Sequence, residues 1–201
     1  MKLYFSPGAC ALASHIALEE AGATYEQQAV NLRAGEQKTP EFLAINPRGQ
    51  TPALVVEGKG VLTENFVIMG YVAQQHPEAG IAPADSFEFG RMQAFNGYLG
   101  GKLHPAMGQF LFSGLEGEAK AGAKGKAIEA LRFVEDTLFE GPWAMGDRYT
   151  VADGYLSVFT RWARQAGVLD EGFPRLNVHL DAVQARPATR RALEKQGIEP
   201  V

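Results

Sequence analysis

The chain has 201 residues, 46% hydrophobic and 21% charged, with a net charge of −4, the proportions of an ordinary globular protein of one large or two small domains. No Lys/Arg run is longer than a pair, which argues against a nucleic-acid or anionic-membrane partner, and no apolar stretch approaches the roughly 18 residues of a membrane span. The single cysteine excludes an internal disulfide and points to a reducing compartment. The first ten residues read as a strand and turn rather than a charged leader, so a soluble, cytoplasmic protein is expected.

In chain order, Lys2–Phe5 predicts a strand, and Ser6-Pro7-Gly8-Ala9 a turn leading to Cys10. A helix over Ala11–Ala21 and a strand over Tyr25–Leu32 follow. The connection from Val30 to Pro52 carries Pro40, Pro47 and Gly49 and leaves room for at most a short irregular helix. Ala53–Glu57 and Gly60–Thr63 predict two strands across Gly58-Lys59, and Phe66–Gln75 a helix. The order is β-α-β then β-β-α. Beyond Pro83 there are no strand signals, so the reading is an α/β domain over 1–79, a linker over 80–85 and an all-helical domain over 86–201. Gly114–Lys126, rich in Gly, Ala, Lys and Glu, predicts a weak helix or mobile connection at the surface. Thr150 and Asp153 predict a capping box, with Asp in place of the usual Glu, and a structural role only.

Cys10 is the leading candidate for chemistry. Placed among the first N–H groups of a helix, its thiolate would be favoured by the macrodipole and its pKa lowered. Pro52, directly before a strand, suits a cis peptide that leaves the Thr51 backbone groups free to pair with an extended peptide. Glu64 and Asn65 close a strand and open a helix. Asn65 reads as the N-cap, with free N–H groups behind it for a carboxylate, and Glu64 suits an ammonium. His15 is turned about 140° around the helix from Cys10, which argues against its being the base for that thiol. His76 and His179 read as surface or helix-end residues, and no metal site is expected.

Four blocks, Tyr4-Phe5-Ser6-Pro7-Gly8-Ala9-Cys10, Asn46 to Leu54, Leu62-Thr63-Glu64 and Gly146 to Asp153, resemble cytosolic glutathione transferases in content and order. Cys10 makes the chain most similar to the bacterial beta class. The resemblance implies a thioredoxin-like N-terminal domain, a C-terminal helical bundle and a homodimer with one glutathione site per subunit. It also implies a cleft in which Ala9 and Cys10 lie beside the glutathione sulfur. Thr51 would pair with the cysteinyl backbone ahead of a cis Pro52, Glu64 would hold the γ-glutamyl ammonium, and Asn65 its carboxylate. His104 resembles a histidine brought towards the sulfur from the helical domain.

The departures from that pattern lie at the same site. The lysine offered to the glycyl carboxylate is absent near Leu32-Arg33-Ala34-Gly35, leaving Arg33 or Lys38 to replace it. Asn65 stands where serine or glycine is usual, and Gly97 and Gly101 where relatives carry polar side chains. The expected function is conjugation of the glutathione thiolate to small hydrophobic electrophiles, with Cys10 and His104 as catalytic candidates. The alternatives are glutathione-dependent disulfide or hydroperoxide reduction through Cys10, and a non-catalytic scaffold. Ala13 rules out a Cys-x-x-Cys dithiol, so reduction would need outside glutathione.

Overall fold

A computed structural model describes residues 1–201. Its strands are Lys2–Phe5 (β1), Glu26–Ala29 (β2), Ala53–Val56 (β3) and Gly60–Thr63 (β4), in the order β2-β1-β3-β4. β1 is parallel to β2, while β3 runs antiparallel to both β1 and β4. A parallel pair needs a crossover, which the helix Leu12–Glu20 (α1) supplies. β2 ends short of Leu32 because the chain turns at Asn31, whose side-chain oxygen accepts the Ala34 N–H at 3.1 Å.

The side-chain alternation of the strands divides the sheet's two faces. Leu3, Phe5, Leu54 and Val56 enter the main core with α1 and the helix Asn65–Gln75 (α3). Tyr4 and Ala53 point the other way, onto Val30 and Phe42. Phe42 belongs to the short helix Pro40–Ile45 (α2), started by Pro40 and by Thr39, whose hydroxyl oxygen accepts the Phe42 N–H at 3.3 Å.

Every later element is a helix: Ser86–Tyr98 (α4), His104–Phe112 (α5), Gly117–Phe133 (α6), Val151–Gln165 (α7), Pro174–Ala185 (α8) and Pro187–Gln196 (α9). The chain thus has a thioredoxin-like N-terminal domain and a helical C-terminal domain. The glycine-rich segment is helical from Gly117 onward: Ala123, Ala127, Ala130 and Leu131 are buried at helical spacing and hold α6 against the core while its other face is exposed. No helix is long and apolar enough to cross a membrane.

α7 is the central helix, with every residue from Val151 to Ala163 buried. Gly154 permits its close approach to α1, since a Cβ there would stand 3.2 Å from Ile16 Cγ2 and 3.1 Å from the Tyr149 hydroxyl. The capping box is present at its start. Asp153 accepts the N–H groups of Thr150 (2.7 Å) and Ala144 (2.6 Å), and His179 Nε2 lies 2.9 Å away. His179 therefore corrects the expectation of a surface residue: it is fully buried because Asp153 supplies its polar partner.

The last helix returns to the first. Glu19 of α1 is held by Arg191 and Lys195 of α9, and Glu20 by Arg186. Burial pushes the His15 imidazole from 6.5 down to about 4. Burial alone would raise Glu19, but hydrogen bonds from Lys195, Tyr25 and Arg191 outweigh it and bring the carboxyl from 4.5 down to about 2. The unfolded chain thus binds a proton at His15 below pH 6.5 that the native state refuses until about 4, and one at Glu19 below 4.5 that it refuses until about 2. Both effects make stability fall as pH falls. Thermal unfolding should lose midpoint steadily from pH 6.5 downward, and His15→Phe should flatten the arm between 6.5 and 4.

Candidate functional site

A cleft of about 1020 Å³ lies where the sheet's loop ends meet the helical domain. One wall is the turn after β1, with Pro7, Gly8, Ala9 and Cys10. Next come Arg48 to Pro52 before β3 and Thr63 to Phe66 between β4 and α3. The opposite wall is Gly97, Gly100, Gly101, His104, Phe112, Tyr155 and Trp162. Of the residues nominated from sequence, Ala9, Cys10, Thr51, Pro52, Glu64, Asn65 and His104 therefore meet in one cleft, from segments far apart in the chain.

The Thr51–Pro52 peptide is cis, and the Cys10 thiol points at the Thr51 carbonyl, with sulfur and oxygen 3.8 Å apart. Cys10 lies in the turn just ahead of α1, whose helical residues begin at Leu12. The expected lowering of its pKa is not found: burial pushes the thiol up to about 11, overriding the opposing pull of the Asn65 side chain and of backbone N–H groups. Desolvation of the sulfur by the surrounding walls outweighs the helix end, so Cys10 is a neutral thiol at pH 7.

Glu64 is the one non-glycine residue with positive φ, at 67°. It occupies the N-cap position of α3 without a side-chain cap, and Arg48 Nη1 lies 2.6 Å from its exposed carboxylate. Asn65 is not the N-cap that its sequence position suggested but the first helical residue. Its side-chain oxygen accepts the Ser14 hydroxyl at 2.7 Å, tying α3 to α1 in place of capping its own helix. The first-turn N–H groups of α3 consequently have no side-chain acceptor.

Arg33 is exposed and outside the cleft lining, whereas Gln37 and Arg48 are on it and Lys38 Nζ packs against Gly49 at the rim. His104 lines the helical wall, its ring against Phe159 and Trp162, and burial holds its imidazole below the ordinary value although Glu64 pulls the other way. A Cβ on Gly97 or Gly101 would meet nothing within 4 Å, so these two glycines leave open space, while Gly100 stands close to the Tyr155 hydroxyl.

Among the lining residues not nominated from sequence are three aromatic side chains of the helical domain, Phe112, Tyr155 and Trp162. Tyr155 and Trp162 sit two turns apart on one face of α7, in an apolar run that reads as core. Burial, with the nearby Cys10 and Glu64, raises the Tyr155 phenol well above its usual range, so it is a neutral hydroxyl at the cleft. No cluster of three or more His, Cys, Asp or Glu side chains suited to a metal ion is present.

Comparison with known proteins places these features in a common frame. Residues 1–74 match the model of the glutathione S-transferase N-terminal domain, and residues 117–182 that of the C-terminal domain. The glutathione S-transferase GstA of Escherichia coli is 31% identical over 99% of this chain and all of its own length. Among solved structures, a sphingomonad glutathione S-transferase complexed with glutathione superposes with a TM-score of 0.90 at 36% identity, over 99% of this chain and 100% of that one. The beta-class enzyme of Sphingomonas chungbukensis gives the same TM-score, 0.90, at 34% identity, over 99% of this chain and 100% of that one.

Proposed function

The chain belongs to the glutathione S-transferase family, a glutathione transferase with glutathione as co-substrate, and from that premise we propose how this cleft divides the work. Glutathione lies extended along Thr51–Pro52, its cysteinyl backbone pairing with the Thr51 backbone as an added strand would. Its γ-glutamyl carboxylate takes the uncapped N–H groups at the start of α3, where the macrodipole favours an anion. Its ammonium goes to Glu64, displacing Arg48 from an exposed ion pair that holds little energy. Lys38 and Arg48 serve the glycyl carboxylate in place of the remote Arg33.

The single observation that carries this reading is the convergence of Cys10, Thr51, Glu64 and Asn65 on one cleft. With the sulfur beside Cys10 and Ala9, the neutral Cys10 thiol donates to the glutathione sulfur and favours its anion. That thiolate attacks an electrophilic carbon, an S–C bond forms, and the leaving group departs with its electron pair. His104, kept neutral by burial, faces the same space and orients the electrophile. Small hydrophobic electrophiles occupy the volume left by Gly97 and Gly101, against Phe112 and Trp162.

The same reading places the protein in the cytoplasm as a homodimer, with residues 1–79 binding glutathione, 80–85 as linker and 86–201 supplying the electrophile side. Sedimentation at micromolar concentration tests the dimer, and a monomer would exclude it. Calorimetric titration of the reduced protein with glutathione tests the site. Saturable one-to-one binding per subunit is expected, weakened by about 1.5–3 kcal/mol in Glu64→Ala because a charge-assisted contact is lost. An unchanged affinity in that variant would remove Glu64 from the site.

A further inference from the structure

The turn that carries Cys10 is held from outside its own domain. Gly8, two residues before Cys10, has φ +71° in a turn closed by the Ala9 N–H donating to the Ser6 carbonyl at 3.1 Å. Both polar groups of its backbone are taken by distant helices. The Gly8 N–H donates to Gln196 Oε1 at 3.0 Å, and its carbonyl accepts the Trp162 indole N–H at 2.9 Å. Gln196 is the buried last residue of α9, and its Nε2 meets His15 Nδ1, also buried, at 3.1 Å.

Donor and acceptor chemistry leaves one consistent arrangement. A backbone N–H only donates, so the amide atom facing Gly8 is the oxygen. The amide NH₂ then donates to His15 Nδ1, which must offer a lone pair, so the imidazole carries its proton on Nε2. Nε2 is buried without a hydrogen-bond partner, so the contact at Nδ1 alone sets the tautomer. A proton on Nδ1 would set two donors face to face, turn the amide over and leave two N–H groups opposed at Gly8. The charged or titratable groups around the ring are Glu19 on α1, Lys195 on α9 and Tyr25 ahead of β2, and burial keeps the imidazole neutral among them.

We propose that His15 and Gln196 are positioning residues: the neutral, Nε2-protonated imidazole fixes the orientation of the Gln196 amide, and that amide fixes Gly8 and so the turn that presents Cys10 to the glutathione sulfur. The proposal rests on the reading of the cleft given above. It gives the end of the chain a part in the chemistry, through a residue 188 positions from the glycine it holds.

The test compares Gln196→Met with Gln196→Glu. The methionine offers Gly8 no comparable acceptor. The glutamate retains an acceptor for the Gly8 N–H and uses its other oxygen to accept from His15, whose proton moves to Nδ1. The methionine variant should lose about tenfold or more in kcat/KM for conjugation, since small misplacements of a reacting group cost that much. Its Cys10 should change at least about threefold in alkylation rate by iodoacetamide. The glutamate variant should stay within about threefold of the parent in both, and the ¹⁵N shifts of its His15 ring should show the proton moved from Nε2 to Nδ1. A methionine variant within twofold of the parent, a glutamate variant as impaired as the methionine one, or a His15 tautomer that does not move would each overturn the proposal. Should the methionine variant fail to fold, activity and tautomer in the glutamate variant decide. Alkylation and ring shifts require no glutathione, so they separate this proposal from the transferase reading, whose failure shows as absent turnover in the parent protein.

Discussion

Replacing Cys10 by alanine is expected to lower kcat for conjugation about tenfold, or about 1.4 kcal/mol, and to remove glutathione-dependent disulfide reduction entirely. The two reactions ask different things of the same sulfur. In the proposed conjugation the nucleophile is the glutathione thiolate, and Cys10, a neutral thiol with its pKa pushed up to about 11, would contribute one weak donor. In reduction the Cys10 thiolate would attack the substrate disulfide, release one thiolate and form a mixed disulfide. A glutathione thiolate would then resolve it, because residue 13 is alanine and no second cysteine exists. Both assays on one preparation, with and without Cys10, measure the division, and equal losses would contradict it. Alkylation of the unliganded parent should rise with pH towards a midpoint near 11 rather than 9. A midpoint below 9 would restore the nucleophilic role and favour the reductase.

The largest stability loss is expected from Asp153→Ala. This buried carboxylate accepts the Ala144 and Thr150 N–H groups and faces His179 Nε2, so it joins the start of α7, the loop before it and α8. Its removal leaves those buried groups without their acceptor, at a cost of about 4 kcal/mol. For a chain of this size that corresponds to a fall of about 12 °C in melting midpoint. Thr150→Ala, which removes only the side-chain half of the cap, should cost about 1 kcal/mol. Calorimetric unfolding of both variants checks the ranking. Similar losses from the two would mean that the acceptor network is worth no more than an ordinary helix cap.

The parts of this molecule legible in the sequence are those whose cause is local. β1, β3 and β4 follow from short apolar runs bounded by turn residues, and the start of α7 follows from Thr150 and Asp153 three residues apart. Glu64 and Thr51-Pro52 were legible through the motifs that hold them, and the structure places both at the cleft. Asn65 was half legible: a polar residue at a helix start reads as a cap, but its oxygen goes to Ser14, which no pattern around residue 65 announces. Tyr155 and Trp162 were hidden because an apolar run on a buried helix gives no sign of which side borders a cleft.

By itself, then, the sequence determined the β-α-β then β-β-α order, the helical character of the second half, the absence of a dithiol and a set of candidate groups for the chemistry, since these depend on residue type and short spacing. Tertiary structure alone decided their states. Cys10 is a neutral thiol because its burial raises the pKa more than the Asn65 side chain and the backbone N–H groups lower it. His179 is buried beside Asp153, 26 residues away, whose carboxylate partners its Nε2. Desolvation depends on what the whole chain packs around a group, and hydrogen-bond partners can lie anywhere along it, so neither is written in the residues beside the group itself.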